Sequence, residues 1–400
     1  MTTDFPNVRH MRVFRETART GSVSAAADLC ALSQPAATQA LKRLEAAIGA
    51  PLLVRSTGSF TPTPCGALYA ARVETALDHL SIGARAALKG LPKARPFDHN
   101  VTAAQLRTLI AVAASGSFTV AAHNLDISQP TVHRAARGLE DVAGVPFFRA
   151  TPSGVELTPS AQAFVLGAKL ALSEIRQANE EIAQELGQHK SSFALGSLPL
   201  ARTTIVPRAT HAMISSTPGM QIRVVDGRYD ELLRSLREGD LDCLIGALRD
   251  PPPADDIVQE RLFDDALAIV AHPSHPLAGK PDLTIEDTLS YPWIAPPKTA
   301  PAGQYLFDTL RIHDRPETPV RVVSSSLIML RGLLAEGPYV SIISRNQISI
   351  EEAAGFIAAL EIPLSGDRRP IGLTTRASWR PTQSQAKFLD HLRAMAPNSS

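Results

Sequence analysis

The sequence predicts an α/β chain overall: two helix-rich modules in tandem, then a long segment in which strands and helices alternate. Two observations carry this reading. First, Gly21-Ser22-Val23-Ser24-Ala25-Ala26-Ala27 through Ser33-Gln34-Pro35 and Leu44-Glu45 returns as Gly116-Ser117-Phe118-Thr119-Val120-Ala121-Ala122 through Ser128-Gln129-Pro130 and Leu139-Glu140, at a constant offset of 95 residues. The offset slips by one at Arg55/Arg149 and recovers at Thr63-Pro64/Thr158-Pro159, as a loop of changed length between two rigid units would produce. Second, from Ser191 onward short apolar runs alternate with helical stretches, the pattern of a parallel sheet with crossover helices.

In the first copy Val8, Met11, Phe14 and Ala18 recur at helical spacing and give one apolar face. Gly21 ends that helix and Ser22 caps the next, which runs through the small residues Ala25-Ala26-Ala27 to Leu29. Cys30-Ala31-Leu32 forms a turn. Ser33 caps a third helix with Pro35 in its first turn, where a missing N–H costs nothing. Ala37, Leu41, Leu44 and Ile48 face inward, and Gly49 ends the helix. Residues 51–64 then read as two short strands around a Thr57-Gly58-Ser59 tip, a wing. Each copy is therefore a helix-turn-helix followed by a wing, and such modules read DNA.

A recognition helix puts its N-terminal side chains at base edges and its flanks on phosphate. In the first copy those positions are Ser33, Gln34, Pro35, Thr38 and Gln39, with Lys42 and Arg43 one turn on and Arg55 in the wing. Gln pairs bidentately with adenine, and the Thr methyl or the Pro ring suits a thymine methyl. The second copy offers Ser128, Gln129, Pro130, His133 and Arg134, with Arg137 one turn on and Arg149 in the wing. Ser-Gln-Pro in a single copy is also an ordinary helix start; two copies in one helical context favour the DNA reading. Charge separates the modules. Residues 1–66 hold seven cations against four anions, a net of +3, whereas residues 101–158 hold four of each. Phosphate contacts dominate DNA affinity, so the first module is the better electrostatic binder.

These residues resemble a known family. Leu32-Ser-Gln-Pro-Ala-Ala-Thr, Leu41-Lys-Arg-Leu-Glu, Gly49-Ala-Pro-Leu-Leu-Val-Arg and Thr63-Pro64 are similar to the winged helix-turn-helix of LysR-type transcriptional regulators, and Ile127 to Pro159 resembles it equally well. The family normally has one such module per chain. The resemblance implies a long linker helix after each wing, and Ala67 to Leu88 and Ser160 to Leu186 both look like it. The second has Ala161, Phe164, Val165, Ala168, Leu172, Ile175, Ile182 and Leu186 near heptad-like spacing, with Glu174, Glu180, Glu181 and Glu185 outside; this stripe is either a dimer surface, the favoured reading, or a local packing face. Gly90-Leu91-Pro92-Lys93-Ala94-Arg95-Pro96 is a stiff joint between the modules.

In the long segment, Phe193 to Ser197, Gln221 to Val225, Leu241 to Gly246, Val320 to Val323, Val340 to Ile343 and Ile371 to Thr374 read as strands. Tyr229 to Glu238, Leu327 to Glu336 and Thr382 to Ala394 read as helices, the last returning to the first lobe. Pro218 to Gly227, Leu236 to Asp242 and His275-Pro-Leu-Ala278 resemble the LysR-type effector domain, which shares the type 2 periplasmic-binding-protein fold; Ser197 to Arg202 and Asp226 to Asp230 most resemble the branch named for regulation of a galactose-binding protein. The partition expected is 1–66 and 101–159 for the modules, 67–100 and 160–190 for linker helices, and 191–400 for the effector domain, with lobe I at about 191–271 and 368–400 and lobe II at about 272–367. Ligands in such sheets sit beyond strand carboxyl ends near helix N-termini. The candidates are Ser197, Leu198, Arg202, Thr203 and Gly246 in one lobe and Ser324, Ser325 and Ser326 in the other. Serine hydroxyls suit a carboxylate or a sugar hydroxyl; they equally cap a helix, and Arg202 is a counter-ion or merely exposed. The effector expected is an organic or aromatic acid, or a sugar.

Composition bounds the remaining alternatives. A hydrophobic content of 44%, a charged content of 20% and a net charge of +1 are ordinary globular values. No apolar run is long enough to span a membrane, and the start, Met1 to Pro6, lacks a basic then apolar leader, so a cytoplasmic location is expected. Cys30, Cys65 and Cys243 make no zinc spacing and no disulfide framework. His272 and His275 sit in a Pro-flanked turn without carboxylates, so no metal is expected, and no cofactor. With no phosphate loop and no nucleophile elbow, catalysis is not expected. Cys243 in an apolar strand reads as a buried inert thiol rather than a redox switch. The expected partners are double-stranded promoter DNA, a small-molecule effector and further copies of the chain, as a homodimer or homotetramer, with no membrane. The alternative is a small-molecule-binding protein whose second helix-turn-helix is only a dimerisation spacer.

Overall fold

The computed structural model describes residues 5–56, 58–90, 97–152, 154–314 and 319–397. They form two compact units, residues up to 191 together with 238–240, and the rest from 192 onward.

The first unit contains both modules. Module one is α1 (Val8–Thr20), α2 (Val23–Leu29), α3 (Gln34–Ile48), the hairpin β1 (Leu53–Ser56) and β2 (Ser59–Pro62), and the long α4 (Pro64–Ala87). Module two repeats the order: α5 (Ala103–Ser115), α6 (Phe118–Leu125), α7 (Gln129–Ala143), β3 (Phe148–Thr151), β4 (Gly154–Leu157) and the long α8 (Pro159–Glu185). Thr57 of the first wing tip and Leu91 to Pro96 of the joint lie outside the described residues.

The repeat extends to individual hydrogen bonds. Gly21 and Gly116 end α1 and α5 at φ 70° and 63°, where glycine lacks the steric cost of a side chain. Their carbonyls then accept from Phe60 and Val155 of the wings, each at 2.8 Å. Glu45 on α3 accepts from the N–H groups of Leu52 and Leu53 at 2.8 and 3.1 Å, and Glu140 on α7 accepts from Phe147 and Phe148 at the same distances. Each carboxylate thus fixes the turn from recognition helix to wing. Glu140→Ala leaves two part-buried donors unpaired and is expected to cost about 1–3 kcal/mol. Faster amide exchange at residues 147–157 of the full chain would register the loosened wing.

α4 and α8 pack on each other antiparallel. Gly83 lies against Gly167, where added Cβ atoms would meet backbone, and Arg72 reaches Glu174, Gln177 and Glu181. This corrects the reading of the α8 stripe as a dimer surface. Ala161, Phe164, Val165, Ala168, Ile175 and Ile182 are buried in one apolar core with Leu77, Leu80 and Ala84 of α4, while Leu186 is exposed beyond the helix end. Glu174, expected on the outer face, is 5% exposed because it pairs with Arg72. The sequence pattern located an apolar stripe but not its partner, which is a helix of the same chain.

The ends of the joint also hold the modules. Phe97 packs on Phe147 and Phe164 of module two, at centroid distances of 5.9 and 4.7 Å. Its neighbour Asp98, 1% exposed, pairs with Arg12 of α1 in module one at 2.7 Å.

The second unit is two α/β lobes. Its elements are β5 (Ser191–Ser197), α9 (Ile205–Ser216), β6 (Met220–Val225), α10 (Tyr229–Arg237), β7 (Cys243–Ala247), β8 (Ile257–Asp265), β9 (Leu267–Ala271), β10 (Trp293–Ala295), α11 (Pro301–Gln304), β11 (Val320–Val323), α12 (Leu327–Glu336), β12 (Val340–Ser344), α13 (Ser349–Ala353), β13 (Ala358–Ala359), β14 (Arg369–Arg376) and α14 (Gln383–Ala394). Lobe I has the sheet order β6-β5-β7-β14-β8 and lobe II β11-β10-β12-β9-β13. β5 and β7 are parallel, as are β10 with β11 and with β12. β14 enters lobe I antiparallel to β7 and β8, and α14 packs on α9.

One boundary moves. β9 was expected in lobe I, but it pairs with β12 and β13 and belongs to lobe II, so the chain crosses at Asp265–Leu267 rather than near residue 271. Asp265 marks the crossing. It is fully buried and accepts from Ser344 Oγ at 2.8 Å, Asn346 Nδ2 at 2.9 Å and Arg369 at 3.0 Å. The node ties the end of β12 and the start of β14 to the outgoing strand.

Candidate nucleic-acid interface and effector cleft

The exposed face of α3 is built by what it buries. Ala37, Ala40, Leu41 and Leu44 turn into the core, which leaves Gln34, Pro35, Thr38, Gln39, Lys42 and Arg43 on the outer face. Ser33 caps the helix by accepting from the Ala36 N–H at 3.4 Å, and Arg55 is exposed on the wing. Lys42, Arg43 and Arg55 have no carboxylate partner among the described residues.

In α7, Val132, Ala136, Leu139 and Ala143 are buried and Gln129, Pro130, His133, Arg134 and Arg137 are exposed. Its polar groups are more engaged. Ser128 does not cap the helix; its hydroxyl lies 2.8 Å from that of Thr131. His133 stacks on Phe118 at 4.2 Å and its Nε2 lies 3.4 Å from Gln129 Nε2. Arg137 pairs with Glu140 at 3.2 Å and Arg149 with Glu156 at 2.6 Å, both at the surface. Exposed pairs of this kind are worth about 0–1 kcal/mol, so a phosphate displaces them at small cost.

The second site is a cleft of about 1010 Å³ between the lobes. Of the residues expected there, Leu198, Ser324, Ser325 and Ser326 line it. Ser326 caps α12 by accepting from the Met329 N–H at 3.3 Å, and Ser324 Oγ accepts from the Ser326 N–H at 3.2 Å. Ser325 is exposed and makes no hydrogen bond among the described residues.

The other four do not line the cleft. Ser197 is fully buried in β5, its hydroxyl donating to the Leu198 carbonyl at 3.3 Å. Arg202, expected as an effector counter-ion or as merely exposed, is exposed and pairs with Asp226 at 3.0 Å outside the cleft lining. Thr203 donates to the Gln347 carbonyl of lobe II at 3.0 Å. Gly246 lies behind Leu198, where any Cβ would collide with that side chain, so it seats a lining residue without being one.

Sequence reading missed Tyr229 and Arg249. The Arg249 guanidinium lies over the Tyr229 ring, 4.4 Å from its centroid, in the lobe I wall. Burial pushes the Tyr229 phenol up, and the nearby Arg249 charge opposes that. Arg369 also lines the cleft, but Asp265 neutralises it. Arg249 has no carboxylate within ion-pair reach among the described residues. Pro296, Pro297, Pro301 and Leu198 supply apolar walls. A cation over an aromatic ring on one wall thus accompanies a free hydroxyl and a helix N-terminus on the other, an arrangement that suits a small amphipathic anion.

Cys243 and His275 are both buried. Burial pushes the Cys243 thiol up to about 12. His275 Nε2 lies 3.3 Å from the Pro338 carbonyl, which accepts from it, and burial holds its pKa down. Among the described residues no cluster of three metal-ligating side chains occurs, and no helix is long and apolar enough to cross a membrane.

The family model for the bacterial regulatory helix-turn-helix protein of the lysR family matches residues 8–67 and again residues 103–162, and the LysR substrate binding domain matches residues 186–397. The chain belongs to the LysR family. It is a transcriptional regulator that binds promoter DNA and responds to a small-molecule effector through that domain. The HTH-type transcriptional regulator GalR of Pseudomonas putida is 28% identical over 374 residues, covering 94% of this chain and 93% of its own length. A match of that extent includes both modules. PcaQ of Agrobacterium fabrum is 28% identical over 300 residues, 75% of this chain and 96% of its own. Among solved structures, a full-length OxyR variant from Pseudomonas aeruginosa shares the fold at a TM-score of 0.57 and 23% identity, covering 73% of this chain and 95% of its own. Full-length CbnR complexed with its target DNA does so at 0.51 and 22%, covering 73% and 99%. LysR regulators act as oligomers.

Proposed function

We propose that this regulator reads its operator with α3 and α7 and is controlled by a small organic acid held between the lobes. The single observation that carries the effector class is Arg249, a cation stacked on Tyr229 with no carboxylate within ion-pair reach among the described residues, in a cleft wall that also carries Arg228, Asp230 and Asp250. The carboxylate meets Arg249, Ser325 and the α12 N-terminus, while the organic body lies against the proline walls. The protein works beside DNA in the cytoplasm and performs no catalytic step.

In the DNA interface Gln34, Thr38 and Gln39 read base edges, and Lys42, Arg43 and Arg55 hold phosphates. Gln34→Ala or Thr38→Ala is expected to lose about 1–3 kcal/mol of discrimination at one base pair. Lys42→Ala is expected to weaken all sequences alike and to lower the salt slope by about one unit. Competition binding over a salt series separates the two effects, and three parent-like variants would remove α3 as a reader.

The effector reading is tested by thermal stabilisation of the full chain with small aliphatic and aromatic carboxylates against neutral sugars of similar size. A ligand at 100 times its Kd adds about 2.7 kcal/mol to the stability of the domain that binds it. Stabilisation by carboxylates is the expected outcome; stabilisation by sugars alone refutes it.

A further inference from the structure

The α4–α8 seam is built from unlike halves. Under the 95-residue offset the counterpart of Arg72 is Gly167, and the counterparts of Glu174, Gln177 and Glu181 are His79, Ile82 and Ala86. In the seam Arg72, 4% exposed, donates to Glu174 at 3.0 Å, to Gln177 at 3.2 Å and to Glu181 at 2.5 Å. An α4–α4 pair of the same antiparallel geometry would face Arg72 with His79, Ile82 and Ala86. An α8–α8 pair would bury Glu174 and Glu181 with glycine where their cation belongs. Uncompensated buried charge is strongly unfavourable, so the seam selects the unlike pair. Phe97 and Asp98 reinforce it, one anchored in each module.

Antiparallel pairing of two repeated modules relates them by an approximate twofold rotation. Their reading heads nevertheless differ: Thr38 and Gln39 of α3 stand where α7 has His133 and Arg134. We propose that a single chain is a complete two-headed reader, and that its target unit is an inverted pair of unlike half-sites, one fitted to Thr38 and Gln39 and the other to His133 and Arg134. This rests on the reading of α3 and α7 as recognition helices.

The test is selection of binding sites from random duplex DNA by the full chain, by His133→Thr plus Arg134→Gln, and by Gln34→Ala. Both substituted α7 side chains are exposed; the His133 contact with Phe118 is lost, but Val132, Ala136, Leu139 and Ala143 keep their buried places. The parent is expected to recover two different half-sites in a fixed order. The double variant carries the α3 residues in α7, and its second half-site is expected to shift toward the first, giving an inverted repeat that it prefers over the parental site by about tenfold. Gln34→Ala is expected to relax the first half-site only. An inverted repeat of one half-site from the parent, or an unchanged second half-site in the double variant while Gln34→Ala still relaxes the first, overturns the proposal. Unchanged sites in all variants would instead overturn the assignment of the recognition helices.

Discussion

Arg72→Ala is expected to destabilise the paired modules by about 3–5 kcal/mol, the cost of leaving partners of a buried ion pair uncompensated. Arg72 is the only cation hydrogen-bonded to Glu174 and Glu181 in the described seam contacts, and these bonds run between the two modules. Burial disfavours its charge, yet the hydrogen bonds it donates to Glu181 and Glu174 raise its pKa, so it stays charged throughout the working range. The loss should exceed that of Lys169 or any surface pair, because neither glutamate reaches water freely. Adding Glu174→Gln and Glu181→Gln removes the stranded charges and is expected to restore a large share of the stability. Hydrogen exchange of α4 and α8 measures the effect directly. Both tryptophans, Trp293 and Trp379, lie in the effector domain, so their fluorescence transition serves as an internal control. Unchanged exchange across both helices in Arg72→Ala would refute the role given to this residue.

Arg249→Ala is expected to weaken the effector by about 10- to 100-fold, the range for a hydrogen bond to a charged group at about 1.5–3 kcal/mol. Arg249→Lys keeps the charge but loses the planar fork and the stacking on Tyr229, so an intermediate loss is expected. Ser325→Ala removes one neutral partner and should cost about 0.5–1.5 kcal/mol. DNA affinity without effector is expected to be unchanged in all three. Titration calorimetry with the most stabilising carboxylate gives the affinities. A parent-like Kd in Arg249→Ala would place the ligand elsewhere.

The sequence made some features legible and hid others for physical reasons. The recognition helices were readable because a serine at the cap position, buried alanines and leucines and exposed polar groups all repeat at a fixed offset. α12 was readable because an apolar run follows a serine cap. The seam was hidden: α4 and α8 meet through Gly83 and Gly167 and bury Arg72 and Glu174, and small or charged residues look like surface when their partner is unknown. The effector wall was hidden because Tyr229 begins α10 and Arg249 follows β7; only the folded lobe stacks one on the other. Strand β8, with Gln259, Glu260, Arg261, Asp264 and Asp265, is too charged for its pattern to signal a strand. Without β8 the crossing at Asp265 was not visible, and β9 was placed in the wrong lobe. Ser197 and Gly246 lie near strand ends, but Ser197 is fully buried with its hydroxyl on the Leu198 carbonyl and Gly246 sits behind the Leu198 side chain, so neither lines the cleft.

One chain is expected to hold two working DNA readers, α3 and α7. Hydroxyl-radical footprinting of the full-length protein on its selected operator tests it, comparing the parent with Gln34→Ala and with Arg134→Ala plus Arg137→Ala. Two adjacent protected tracts are expected, the first weakened only by Gln34→Ala and the second only by the α7 double variant. A footprint that the α7 double variant leaves unchanged would contradict it, and would make the second module a spacer.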